Sequence, residues 1–216
     1  MPTLKFTPDQ AEQTTALTDV ILALIAIGGV LYLQSRGFNG TWKINTWSWA
    51  FGFIAISSAL GAIAHGLVLP ETLHRRIWQT INFGLGLSVS LFVVGVSYDL
   101  WGITMARPIL WGMLVMGCGF FTVTRIFPGI FFVFIIYEGL ALLFALAAYS
   151  WIASRGTLDG ADLMAAGVLV SLMAAGIQAA KKIKLKLIWI FDHNGIFHLV
   201  QGLGLVLLVM GLTAMP

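Results

Sequence analysis

Residues 47–69 read WSWAFGFIAISSALGAIAHGLVL, 23 residues without a Lys, Arg, Asp or Glu. As an α-helix such a stretch extends about 35 Å, enough to cross a hydrocarbon core about 30 Å thick. The apolar residues run continuously and do not alternate in ten-residue segments, so helices are expected and an outer-membrane barrel is not. Outward from this run lie six more, at 16–34, 77–98, 108–124, 127–151, 161–180 and 187–214. The fourth is the shortest, because Pro108 and Arg125 confine it to about 17 residues. Across all 216 residues, 59% are hydrophobic and 10% charged, with a mean hydropathy of +0.93. That is more apolar side chain than a soluble domain of this size can bury. The expectation is an all-α integral membrane bundle: one domain of seven transmembrane helices over 16–214, preceded by a polar segment, 1–15. Short links make sequential helices antiparallel.

Charge sets the expected orientation. One side of the bundle receives Lys5, Arg75, Arg76, Arg125, Lys181, Lys182, Lys184 and Lys186, and the other receives Arg36, Lys43, Arg107 and Arg155. Eight against four places the N-terminus in the cytoplasm and the C-terminus outside. Trp42, Trp47, Trp49, Trp101 and Trp151 fall near span ends on the outer side, where an aromatic belt is expected. The KKIKLK run at 181–186 reads as an anchor to anionic headgroups. No basic segment followed by a cleavage site opens the chain, so no signal peptide is expected; the expected location is a bacterial inner membrane or a plasma membrane. The single cysteine, Cys118, excludes an internal disulfide, and dispersed basic residues give no support to nucleic-acid binding. Membrane lipid is the expected partner. Gly84, Gly86, Gly202, Gly204 and Gly211 suit close helix contact and leave oligomerisation through those faces open.

Ionisable groups within spans are costly and therefore functional candidates. His65 lies near the end of the second span, and Asp192, His193, Asn194 and His198 open the seventh. Thr14, Thr15, Thr18 and Asp19 open the first span, and Gln79, Thr80 and Asn82 the third. Antiparallel order brings all of them to one depth beneath the cytoplasmic interface. Asp19 and Asp192, in first turns, also suit plain helix caps, and Thr18 can bond its own backbone. Glu138, in IIYEGLALL, stands about eleven residues into its span, roughly 16 Å along the axis, and must be protonated, paired or beside water. Asp99, in SYDLWG, is expected to be solvated at the outer interface.

Helical geometry restricts the metal chemistry open to these residues. His193 and His198 are about 140° apart around a helix, whereas Asn194 and His198 share a face. A catalytic zinc needs three protein ligands and an open position. His65 and His198 supply two, and Asp19, His193 or Asp192 would have to supply the third.

Seven helices, a histidine late in helix two and DHNGIFHLVQ at the start of helix seven resemble a superfamily of membrane hydrolases. It includes alkaline ceramidases, progestin and adiponectin receptors and GPI-remodelling lipases. The resemblance implies zinc held by a helix-two histidine and an H-x-x-x-H pair on helix seven, and cleavage of lipid amides or esters. Asp192, Asn194 and His198 resemble the D-x-H-x-x-x-H string with Asn194 in place of its first histidine. Gly61 precedes His65 by four positions, Ser57 and Ser58 are the available serines, and Asn82 is the nearest substitute for an aspartate on helix three. EQTTALTD (12–19) together with DHNGIFHLVQ is also similar to a family of bacterial seven-helix membrane proteins without an assigned activity.

Two kinds of function follow. In the first, Zn²⁺ on His65, His198 and His193 or Asp192 activates a water against a lipid carbonyl, with Asp19, Asp192 or Ser58 orienting it and Asn194 and Asn82 in support. In the second the bundle is not an enzyme but a subunit, receptor or small-molecule binder; haem on two histidines, giving electron transfer, is a third reading. No mid-span lysine is present for a retinal Schiff base, and Glu138 keeps proton coupling open. The orientation is checked by cysteine labelling after replacement of Cys118. An impermeant reagent is expected to reach Thr213→Cys from outside intact cells and Lys184→Cys only after permeabilisation.

Overall fold

A computed structural model describes residues 5–35, 41–127, 131–186 and 188–215, with the side chains of 131 and 132 excepted. Seven helices, each long and apolar enough to cross a membrane, make up an all-α bundle. They are α1 (Gln10–Ser35), α2 (Trp42–Gly66), α3 (Glu71–Trp101), α4 (Ile103–Ile126), α5 (Phe131–Arg155), α6 (Ala161–Ala179) and α7 (His193–Ala214). A short antiparallel hairpin, β1 (Lys184–Lys186) and β2 (Ile190–Asp192), joins α6 to α7. The face where α1 begins is called proximal below, and the other distal. Arg36 and Leu187 lie outside the described residues.

The helix ends differ from the apolar runs wherever a cap or a pairing outweighs hydropathy. Asp9 accepts the Ala11 N–H at 2.8 Å and starts α1 six residues early, so 10–15 belong to the first helix and not to a polar leader. α2 stops at Gly66 because Leu67 pairs with Phe6, with Val68 N–H donating to Lys5 O at 2.9 Å. The fourth span is not truncated at Pro108, which sits inside α4. Pro108 costs that helix one backbone donor without ending it. The seventh begins at His193, because Ile190–Asp192 are paired in the hairpin. Gly102, at φ 77°, is the single residue between α3 and α4, a conformation that a side chain would strain.

Six helices close a ring in the order α1, α2, α3, α5, α6, α7, and α4 packs on the outside against α3. α4 is correspondingly the least buried of the seven. Toward the distal end the ring is packed: Leu33, Trp47, Val96, Tyr149, Met164 and Leu212 belong to one apolar core. Close approach of α2 to α3 uses Gly95, where a Cβ would stand 2.6 Å from the Trp47 ring. Trp47 is therefore core and not belt, whereas Trp49, Trp101 and Trp151 are exposed.

Asp99 is not solvated at the distal face. Its side chain is 2% exposed, pairs with Lys43 Nζ at 2.6 Å and accepts the Tyr149 hydroxyl at 2.8 Å, which ties α2, α3 and α5 together. Removing one partner leaves a buried charge uncompensated. Lys43→Met is expected to destabilise the bundle by about 3–5 kcal/mol, and Lys43→Met with Asp99→Asn by distinctly less, measured by unfolding in mixed detergent.

Candidate functional site: a proximal intramembrane cavity

Four residues of α1, at spacings that keep them on one stripe, hold the start of α7. Thr14 Oγ1 reaches Ile190 O at 2.5 Å, and Thr15 Oγ1 donates to Asp192 Oδ1 at 2.8 Å. Thr18 Oγ1 lies 3.2 Å from His198 Nδ1, and Asp19 Oδ1 lies 3.4 Å from His198 Nε2. Asp192 is the α7 cap the sequence allows for, accepting the Gly195 N–H at 2.9 Å. Asp19 is not a cap: Asp9 takes that role, and Asp19 lies buried nine residues beyond Gln10, roughly 13 Å along α1. Its carboxylate fits against α2 because Gly61 has no side chain, and a Cβ there would come within 2.7 Å of Asp19 Oδ2.

The two interior-facing histidines differ in what remains free. Both ring nitrogens of His198 face protein partners. Thr18 has one hydroxyl hydrogen and two acceptors in reach, Thr15 O at 2.9 Å and His198 Nδ1 at 3.2 Å. If it turns to Nδ1, the imidazole proton sits on Nε2 toward the Asp19 carboxylate; if it turns to Thr15, Nδ1 must carry a proton. His65 is held only at Nδ1, by Glu12 Oε2 at 2.6 Å, and its ring meets Trp78 edge to face. Its Nε2 has no hydrogen-bond partner among the described residues. His193 Nδ1 stands 3.9 Å from Asp192 Oδ2.

These elements wall a cavity of about 540 Å³ that runs from the proximal end of the ring as far as Phe51, Phe92 and Leu208. Asp19, Ser58, His65, Asn82, Glu138, His193, Asn194 and His198 all line it, so every expected site residue except Asp192 is brought to one space. α7 contributes His193 at its first residue and then a stripe of Asn194, Phe197, His198, Gln201, Leu205 and Leu208. Glu138 is seven residues beyond Phe131, the first described residue of α5, roughly 10 Å along the helix. The deeper walls are apolar, with Leu22, Phe51, Phe92, Leu142 and Leu208.

The decisive polar atoms include three that the sequence did not single out. Four buried oxygens on the cavity wall have no hydrogen-bond partner among the described residues: Glu138 Oε2, Ser171 Oγ, Gln178 Oε1 and Gln201 Oε1. Each such atom costs free energy unless something in the cavity completes it. Glu138 was visible as an intramembrane acid. Ser171 and Gln178 were hidden because serine and glutamine carry no charge, although their seven-residue spacing puts them on one face of α6. Among the described residues no three His, Cys, Asp or Glu side chains are grouped closely enough to hold a metal ion.

The fold and this site define a seven-helix membrane protein with an internal cavity. The chain belongs to a family of unknown function (DUF6962), whose model matches residues 14–216. No curated protein and no solved structure matches it.

The two histidines should separate on mutation. His198→Ala removes the partner of Thr18 and Asp19 and is expected to cost about 1–3 kcal/mol of stability. His65→Ala releases Glu12, which is 42% exposed, and should cost under about 1 kcal/mol. Thermal unfolding in one detergent compares them, and an equal loss would remove the distinction drawn between the two rings.

Proposed function

We propose that the protein is a binder of an amphiphilic small molecule taken from the membrane, held in the proximal cavity with its polar group among Glu138, Ser171, Gln178 and Gln201. The observation that carries this reading is the set of four unpartnered buried oxygens around one space. A cavity of 540 Å³ lies in the range of ligand pockets, which are mostly apolar with a few placed polar groups. Carboxylate and carboxamide oxygens call for hydrogen-bond donors, so the ligand's head carries hydroxyl, amide or amine groups. Its apolar part lies against Leu22, Phe51, Phe92, Leu142 and Leu208. His193 and Lys181 stand at the proximal end of the lining, beside the start of α7.

A second reading, hydrolysis of a lipid amide or ester, keeps one specific observation: the Glu12–His65 pair with Nε2 of His65 left open. A carboxylate that fixes the tautomer and an imidazole nitrogen facing the substrate is the arrangement of a general base. In that case His65 Nε2 takes a proton from water, and Glu12 stabilises the imidazolium that results. The zinc implied by the resemblance to membrane hydrolases does not fit the side chains as they stand. His198 would first have to release Thr18 and Asp19, and Asn194 offers a carboxamide where a nitrogen ligand is wanted.

Protein purified in mild detergent is expected to carry about one amphiphile per chain, identified by extraction and mass spectrometry. Ala141→Phe, which fills the wall, should abolish its retention. Gln201→Leu with Ser171→Ala should weaken it roughly 5- to 30-fold, the equivalent of about 1–2 kcal/mol. Retention unchanged in Ala141→Phe overturns the binding reading. Elemental analysis and an absorbance spectrum of the same sample report zinc or haem, and stoichiometric zinc lost in His65→Ala would put the hydrolase first.

A further inference from the structure

Away from the cavity, the proximal ends of α3 and α4 enclose a second depression lined by Thr72, Arg75, Arg76, Gln79 and Arg125. The four α3 residues recur at three- and four-residue spacings and so share one helix face, which the antiparallel α4 meets with its last turn. Three guanidinium groups border one hollow of about 400 Å³. None of the three is in an ion pair, and all nine Asp and Glu residues of the chain are among those described, so the chain holds no further acid to neutralise them. Glu71, one turn before Arg75, forms no bridge within 4 Å.

We propose that this depression binds a phosphate group at the membrane surface. Like charges gathered without a counter-ion repel, and a phosphate relieves that repulsion while accepting from several N–H groups at once. Arginine is the side chain suited to this, because its planar fork meets two phosphate oxygens together. Gln79 and Thr72 add neutral donors beside the charges. The level is that of lipid headgroups, since Arg125 closes the last turn of a spanning helix and Arg75 and Arg76 open another. α4 is the outermost helix of the bundle, so the hollow is open to lipid from the side. The site is distinct from the lysine-rich hairpin, whose Lys184 and Lys186 lie on β1 between α6 and α7. It is also independent of the cavity, none of whose lining residues it shares.

The test uses the full chain in nanodiscs and in detergent. Native mass spectrometry counts retained phosphatidic acid in a phosphatidylcholine background, and a parallel arm titrates inorganic phosphate against the detergent-purified protein. Oleate serves as an anionic control without phosphate. Phosphatidic acid is expected to stay bound through delipidation, with retention falling about tenfold in R76Q/R125Q. R76K/R125K should recover part of the loss, since charge is kept and the fork is not, and K184Q/K186Q should behave as the parent. Arginine-dependent binding in the lipid arm alone assigns the phosphate to a headgroup, and the same dependence in both arms supports a phosphate site open to free anion as well. Binding of oleate as strong as that of phosphatidic acid, or no difference between parent and R76Q/R125Q in either arm, overturns the proposal. Unchanged thermal unfolding of R76Q/R125Q shows that a loss of binding is not a loss of fold.

Discussion

A polar atom surrounded by hydrocarbon has no water to fall back on, and this constraint sorts the polar side chains of the bundle into two populations. Where the chain completes a polar group internally, the group is a tie between helices. Thr15 with Asp192 and Asp19 with His198 fasten α1 to α7, and Lys43, Asp99 and Tyr149 fasten three helices at the other end. Where a buried side-chain oxygen is left open among the described residues, its residue lines the cavity, whereas the one open nitrogen, Trp47 Nε1, lies in the apolar core. Glu138, Ser171, Gln178 and Gln201 belong to this second population, and their common location separates a place for a ligand from mere packing imperfection.

The architecture was readable because a membrane span is a one-dimensional signal: length and apolarity suffice to find all seven helices. Their ends were less readable, because Asp9, the Phe6–Leu67 pairing and the hairpin before His193 act through hydrogen bonds that hydropathy does not register. Depth was inferred correctly for most candidates, since antiparallel order and a rise of about 1.5 Å per residue fix which residues share a level. Pairing was not. Nothing local in SYDLWG announces that Asp99 finds Lys43, more than fifty residues earlier. Neutral polar residues were overlooked for a related reason, as glutamine and serine within a span become informative only once their partners are known to be missing.

The histidines illustrate how identity and role can part. His198 sits where the sequence pattern puts a ligand, yet Thr18 and Asp19 engage its ring from both sides, and Gly61 is the small residue that lets Asp19 reach that position. His65, at the end of α2 and near the proximal surface, retains an open nitrogen and a carboxylate behind it. The ring with an open nitrogen thus lies nearer the proximal end, and the fully engaged ring lies deeper. Asn194 fits that division, because a carboxamide on the His198 face can hydrogen-bond a guest in the cavity.

The solid distal core gives the molecule a direction. Trp47, Tyr149, Met164 and Leu212 pack the ring beyond the cavity. A guest that entered from the proximal side would meet that packed core and return to the monolayer it came from. Its occupancy would therefore follow the composition of one leaflet and be blind to the other, so that two membranes with the same total lipid but opposite asymmetry would load the protein differently.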